Sequence, residues 1–276
     1  MSAIIAKVAD RQVRLTNLVK VMYPRMGITK SQVIDYYATV GEAMIAQTRG
    51  RPVTRIRFPH GVGQQSFFEK NAPEGMPERI PTTDINGIHC PLYNEIAALV
   101  WSAQNNALEL HTPQWRTPGK IDRMVVDLDP GPATGLRQCC EVALLVADYL
   151  EADGLTAQAV TSGSKGMQLY VPFPEPMDAE AVMNYARAMA SDLAGKHPGR
   201  IVATMTKAKR DRKVFIDWSQ NNPAKTTITP YSLRGKDLPC AATPVTWEEV
   251  REGLSEQFLF TETIARLQEM GDLLQG

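Results

Sequence analysis

The chain has 276 residues, 43% of them hydrophobic and 22% charged, the balance of a protein that buries a full core as one large domain or two small ones. Its 30 basic and 30 acidic side chains cancel, so the net field selects no class of partner. It contains no apolar run of membrane-span length and no signal-peptide pattern at its start, which points to a cytoplasmic protein with no membrane role.

In chain order, Thr29 followed by Gln32 fits a capping box and predicts a helix over 29–48, with Val33, Tyr36, Tyr37, Val40, Met44 and Ile45 as its apolar stripe. A strand is expected over 53–58, then a polar glycine-rich turn and the short segment 66–70. Residues 94–108 read as a mostly buried helix, and 136–153 as a helix stopped by Gly154. Strands at 157–162 and 167–173 flank a glycine turn; a helix over 178–194, strands at 213–219 and 226–233, and short helices at 247–254 and 261–274 complete the chain. Several strands are joined by turns too short for a crossover helix. The expected class is therefore α+β, with mixed, largely antiparallel sheets flanked by helices. With no repeat or clean linker, a single domain over 1–276 is expected: an N-terminal part to about 120, a core over about 121–240 and C-terminal helices over about 246–276.

The densest chemistry lies in Arg123-Met124-Val125-Val126-Asp127-Leu128-Asp129-Pro130-Gly131. Side chains alternate along a strand, so Asp127 and Asp129 share a face, and two like charges so close need a cation between them or a proton on one. Asp217 sits in the apolar run Val214-Phe215-Ile216-Asp217, where a buried charge must be paired; a salt bridge and a metal are both open. Three carboxylates on adjacent strands would form an all-oxygen site suited to Mg²⁺ or Mn²⁺. Thr161-Ser162-Gly163-Ser164-Lys165-Gly166 joins two strands and is either a hairpin turn or an anion cradle, though not a Walker A loop. Arg49, Arg51, Arg55 and Arg57 crowd one segment, and Lys207, Lys209, Arg210, Arg212 and Lys213 another, each a solvated face or a contact surface. The cysteines, Cys90, Cys139, Cys140 and Cys240, have no zinc spacing and are expected reduced and buried.

Several phrases in order resemble a known family: Gly50-Arg51-Pro52-Val53-Thr54-Arg55, Phe67-Phe68-Glu69-Lys70-Asn71, Pro113-Gln114-Trp115, Ser162-Gly163-Ser164-Lys165-Gly166, Asp217-Trp218-Ser219-Gln220 and Pro230-Tyr231-Ser232-Leu233-Arg234-Gly235. The chain is similar to the polymerase domain of the bacterial end-joining ligase D, a branch of the archaeo-eukaryotic primase superfamily. The resemblance implies a primase-polymerase-like core and a DNA-dependent nucleotidyltransferase that extends a primer at short gaps or ends bearing a 5′-phosphate, often with ribonucleotides and Mn²⁺. It implies Asp127, Asp129 and Asp217 as ligands of a two-metal site; His111, Ser162, Lys165, Gln220 and Arg234 as contacts to the nucleoside triphosphate; Lys20 and Lys30, with Asn17 nearby, as the 5′-phosphate pocket; and Phe67 and Phe68 as the residues that splay the template.

Three departures stand out. Gln168 replaces the His usual after the glycine turn, the stretch 116–123 is short, and no ligase segment lies within the 276 residues. A separate ligase and repair factors are the expected partners of a monomer working at the nucleoid, in end joining or in gap filling during excision repair. The rivals are a haloacid-dehalogenase-like phosphatase, from the Asp-x-Asp, and a non-catalytic DNA-end-binding module.

Overall fold

The computed structural model describes residues 3–275, which divide into two compact units. The first comprises the chain up to Thr112, Ile228–Ala241 and Leu259–Gly271; the second comprises Pro113–Thr227, Ala242–Phe258 and the residues from Asp272 onward.

In the second unit the long strand Lys120–Pro130 is central. It pairs antiparallel with Met167–Met177 on one side and with Val214–Asp217 on the other. Gln158–Thr161 and Pro244–Val245 extend the sheet antiparallel beyond Met167–Met177, while Ile201–Val202 joins Val214–Asp217 in parallel. Val126, Leu128 and Ile216 point to a core shared with Cys139, Val142, Val146 and Leu150 of the helix Leu136–Ala152, and with Val182, Ala186, Met189 and Leu193 of the helix Ala179–Lys196. Alternation therefore turns Asp127, Asp129 and Asp217 to the opposite face of the sheet. Where Val214–Asp217 ends, the chain coils into the short helix Trp218–Asn221. The Asn221 side chain then continues the ladder, accepting from Val125 N–H and donating to Val125 O, each at 2.8 Å.

In the first unit, Ala107–Thr112, Thr54–Arg57 and Phe67–Glu69 lie side by side, antiparallel. The hairpins Ile4–Val8/Arg11–Leu15, Val21–Tyr23/Ile28–Thr29 and Thr82–Ile85/Ile88–Pro91 had no clear sequence signal. The helices are Lys30–Thr39, Gly41–Thr48, Ile96–Gln104 and Phe260–Met270. The Gln32 side chain accepts from Thr29 N–H at 2.9 Å, completing the expected capping box.

Several predicted elements are shifted, the helix over 261–274 ending at Met270 and the strand over 213–219 at Asp217 among them. The helix over 29–48 is two helices, because the backbone leaves the helical region at Val40 (φ −84, ψ 6) and Gly41 seats against the Ile96 side chain. The helix over 94–108 ends at Gln104; Asn106 adopts φ +63, which Asn tolerates, and the chain re-enters as a strand. Of 226–233, only Thr227–Ile228 is strand, since Pro230 has no N–H and Tyr231 turns at φ +69. Gly154 stops its helix at φ +73, as read. No described helix is long and apolar enough to cross a membrane.

Gly166 packs directly on the aspartate strand: a Cβ there would lie 2.1 Å from Leu128 O. Gly166→Ala is expected to cost about 2–3 kcal/mol in urea denaturation. Gly195→Ala, in a helix with nothing within 4 Å, should instead add roughly 0.5–1 kcal/mol.

Candidate active site

Asp127 pairs Cα to Cα with Asp217 across one strand boundary and with Gln168 across the other; Asp129 pairs with Phe215. Asp217 is buried and Asp129 exposed. Neighbouring donors hold the carboxylates in place. Gln168 Nε2 donates to Asp127 Oδ1 at 3.1 Å, and the Tyr170 hydroxyl donates to Gln168 Oε1 at 3.0 Å. The Arg123 guanidinium lies 4.8 Å from the Tyr170 ring centroid and donates to Gln114 Oε1 at 2.8 Å. Asp217 Oδ1 accepts from Ser219 N–H at 3.1 Å and from the Ser219 hydroxyl, and its Oδ2 accepts from Gln220 Nε2 at 2.9 Å. Lys225 Nζ donates to the Ser219 hydroxyl and stands 4.0 Å from Asp217 Oδ2.

Asp217 therefore accepts from backbone N–H, hydroxyl and amide donors, with an ammonium charge nearby. The all-oxygen donor set fits a hard divalent cation. Among the described residues no group of three or more His, Cys, Asp or Glu is already closed around such an ion; Ser219 and Gln220 hold Asp217, and Gln168 holds Asp127.

The Ser162–Gly166 turn lies against this strand through Gly166. Ser162 N–H donates to Gly166 O at 3.0 Å, and the Ser162 hydroxyl oxygen accepts from Ser164 N–H and Gly166 N–H at 3.3 and 3.1 Å. Gln257 clamps the turn, accepting from Gly163 N–H at 2.7 Å and donating to Gly166 O at 3.0 Å. The N–H groups of Ser162, Gly163, Ser164 and Gly166 are thus occupied, and the exposed Lys165 is the turn's outward charge. Gln220, read as a nucleotide contact, is tied to Asp217. The basic run 207–213 is mostly exposed, with Arg210 stacked 3.7 Å from the Phe215 ring centroid.

The first unit gathers a second set of residues. Glu109 and His111 share a strand face two residues apart, and His111 Nε2 lies 2.9 Å from Glu109 Oε2. Arg234 Nη1 stands 3.4 Å from the same oxygen, while Glu109 Oε1 accepts from Gly235 N–H at 2.9 Å. Burial is the largest influence on Glu109 and opposes ionisation. The His111 hydrogen bond, the Arg234 charge, the His111 charge and the Gly235 N–H outweigh it and hold the carboxyl below its usual range.

Asn17, Lys20 and Lys30 also come together. Asn17 turns at φ +54, its carbonyl accepts from Lys20 N–H at 3.0 Å, and Lys20 O accepts from Lys30 N–H at 2.7 Å. Lys20 Nζ donates to Pro59 O. Lys30 is 3% exposed, and burial first, then the like charge of Lys20, lowers its pKa to about 8. Phe67 and Phe68, side by side on one strand, are 41% and 61% exposed. The arginine cluster behind them is no solvated face: Arg51 and Arg55 are buried, and Arg55 and Arg57 pair with Glu69 at 3.0 and 2.8 Å.

Glu109, Lys225 and Gln257 were not singled out from sequence. Alternation alone could have found Glu109, an acid two residues from His111 in an apolar strand. Nothing local links Gln257 to a turn 94 residues away.

A family model described as the LigD primase-polymerase domain matches residues 29–274. The chain belongs to the LigD primase-polymerase domain family. This makes it an enzyme of the nucleotidyltransferase class and displaces the phosphatase and non-catalytic readings. It is 45% identical over 95% of its length to the multifunctional non-homologous end joining protein LigD of Mycolicibacterium smegmatis, covering 36% of that protein. It is 29% identical over 94% of its length to the bifunctional end-joining LigD of Bacillus subtilis, covering 43% of it. The chain thus spans well under half the length of these curated relatives. The structure of the polymerase domain from Mycobacterium tuberculosis ligase D in complex with DNA superposes with a TM-score of 0.92 at 42% identity, covering 95% of this chain and 96% of that one. The expected α+β class with its primase-polymerase core is borne out.

The Lys30 ammonium supplies a check on this geometry. Its folded pKa lies below the unfolded value of 10.5, so between about pH 8 and 10.5 the unfolded chain binds more protons. Stability should rise with pH through that window and be flatter in Lys30→Met, as read by urea denaturation at stepped pH.

Proposed function

We propose that the chain is a template-directed nucleotidyltransferase that extends a DNA primer at short gaps or broken ends bearing a 5′-phosphate, with ribonucleotides preferred. The observation that carries this reading is the register of Asp127 against Asp217, with Asp129 on the same face, in a member of a polymerase-domain family. Asp127, Asp129 and Asp217 would hold two Mn²⁺ or Mg²⁺ ions, which supply activation of the primer 3′-hydroxyl and neutralisation of the triphosphate. Ser162, Lys165, Gln220, His111 and Arg234 bind and orient the incoming triphosphate. Lys165 and Arg234 offset negative charge as pyrophosphate departs.

Lys20 and Lys30, with Asn17 shaping their turn, take the 5′-phosphate. A buried ammonium whose charged neighbour is another lysine gains most from an anion, which supports that assignment. Phe67 and Phe68 stack on unpaired template bases. The similarity to end-joining proteins favours end joining as the pathway, and a separate ligase and repair factors are the partners proposed for it. Gap filling in excision repair is the second reading, favoured by the tight turn that pairs Arg116 with Lys120 in the short 116–123 stretch.

The test is primer extension on a one- to few-nucleotide gap, with ribo- and deoxyribonucleotides, under Mg²⁺ and Mn²⁺. Asp127→Ala and Asp217→Ala should lose at least about a hundredfold in rate with melting retained; extension at the wild-type rate would sink the metal assignment. A downstream 5′-phosphate should strengthen binding, more so at low salt. That advantage should fade as pH rises through about 8, where Lys30 loses its charge, and persist in Lys30→Arg.

A further inference from the structure

We infer that Glu109 is a positioning residue for the nucleotide: its single carboxylate sets the tautomer of His111 and the aim of Arg234. This rests on the reading above that His111 and Arg234 contact the incoming triphosphate.

The geometry is a shared acceptor. Glu109 Oε2 faces His111 Nε2 at 2.9 Å and Arg234 Nη1 at 3.4 Å, and Oε1 accepts from Gly235 N–H at 2.9 Å. An ionised carboxylate has no proton to give, so His111 Nε2 must carry the hydrogen. The His111 nitrogen left for a ligand is therefore Nδ1, and the ring is fixed in orientation as well as in tautomer. Arg234 is held from three directions. Glu109 engages its Nη1 and the N–H of the next residue, while the Tyr23 hydroxyl donates to Arg234 O at 2.9 Å. Arg234 Nε is buried without a hydrogen-bond partner, a donor that an anion would satisfy. Gly235 allows the close approach on this side: a Cβ there would lie 2.0 Å from the Phe58 ring.

A carboxylate that served only to neutralise Arg234 within the fold would change stability on removal and leave nucleotide handling alone. The isosteric Glu109→Gln separates the two roles. In the full chain, on gapped DNA, it is expected to raise the nucleotide KM about tenfold with kcat within about twofold. Binding of 5′-phosphorylated DNA should stay unchanged. Long-range ¹H–¹⁵N spectra should show the His111 ring protonated at Nε2 in the wild type and mixed in Glu109→Gln. Glu109→Gln/His111→Ala should raise KM by less than the product of the two single effects, the part that remains passing through Arg234.

An unchanged KM with the Nε2 tautomer retained, or additive effects in the cycle, would overturn the inference. If His111→Ala and Arg234→Ala leave KM unchanged, the nucleotide reading of those residues falls, and the ring spectra decide the tautomer claim by themselves. Should Glu109→Gln not fold, Glu109→Asp keeps the charge one methylene further back and should raise KM about threefold; no rise would count against the inference equally.

Discussion

The second unit depends on one uncomfortable pairing: Asp127 and Asp217 stand directly opposite each other on neighbouring antiparallel strands. Like charges in that register destabilise a sheet, so the surroundings must supply donors. Gln168 reaches Asp127 from the third strand, and Ser219 and Gln220 reach Asp217 from the short helix that follows it. The opposite face is a continuous apolar core under two helices, which fixes the strand positions whatever the carboxylates do. Rigid backbone and hydrogen-bonded acids on the free face are what a proposed cation site requires, because ligands on strands move less than ligands on loops.

The first unit solves the problem of buried charge in two opposite ways. Glu109 is surrounded by His111, Arg234 and a backbone N–H, and these hold it ionised. Lys30 is more buried still, yet its neighbour is another lysine, and both influences push it toward neutrality. A charge satisfied inside the protein reads as structural support for its partners. A charge left in deficit reads as one whose partner arrives from outside, and this is the physical ground for separating the role of Glu109 from that of Lys30.

The aspartate strand is readable because its chemistry is local: Asp-x-Asp on a strand fixes a shared face, and one acid in an apolar run must find company. The turn at Ser162–Gly166, the long helices and the antiparallel preference followed from glycine placement, 3.6-residue periodicity and short connections. The break at Val40 was hidden because the apolar stripe continues through it, and the end of the 94–108 helix because Leu108 is as apolar as a helix residue would be. Both breaks are decided by contacts or backbone angles that composition does not encode, Ile96 against Gly41 and the left-handed Asn106. The arginine cluster misleads in the same way. Arg55 is basic in sequence, but a partner 14 residues later turns it into core. Lys20 and Lys30 stand out as candidate phosphate contacts through resemblance alone, since burial, which distinguishes Lys30, is a tertiary property.

Gln168 stands where the resemblance leads one to expect a histidine, and the structure gives its amide a physical role. An amide can donate to Asp127 and accept from Tyr170 at once, so its orientation is determined by its two partners. It also adds no charge. The nearest cation along this chain of contacts is Arg123, one residue further back and stacked on the Tyr170 ring. A cation at position 168 would offset Asp127 directly and compete with any divalent ion for it. The neutral amide aims the carboxylate while leaving its charge available, which suits the proposed role of this face in holding a cation.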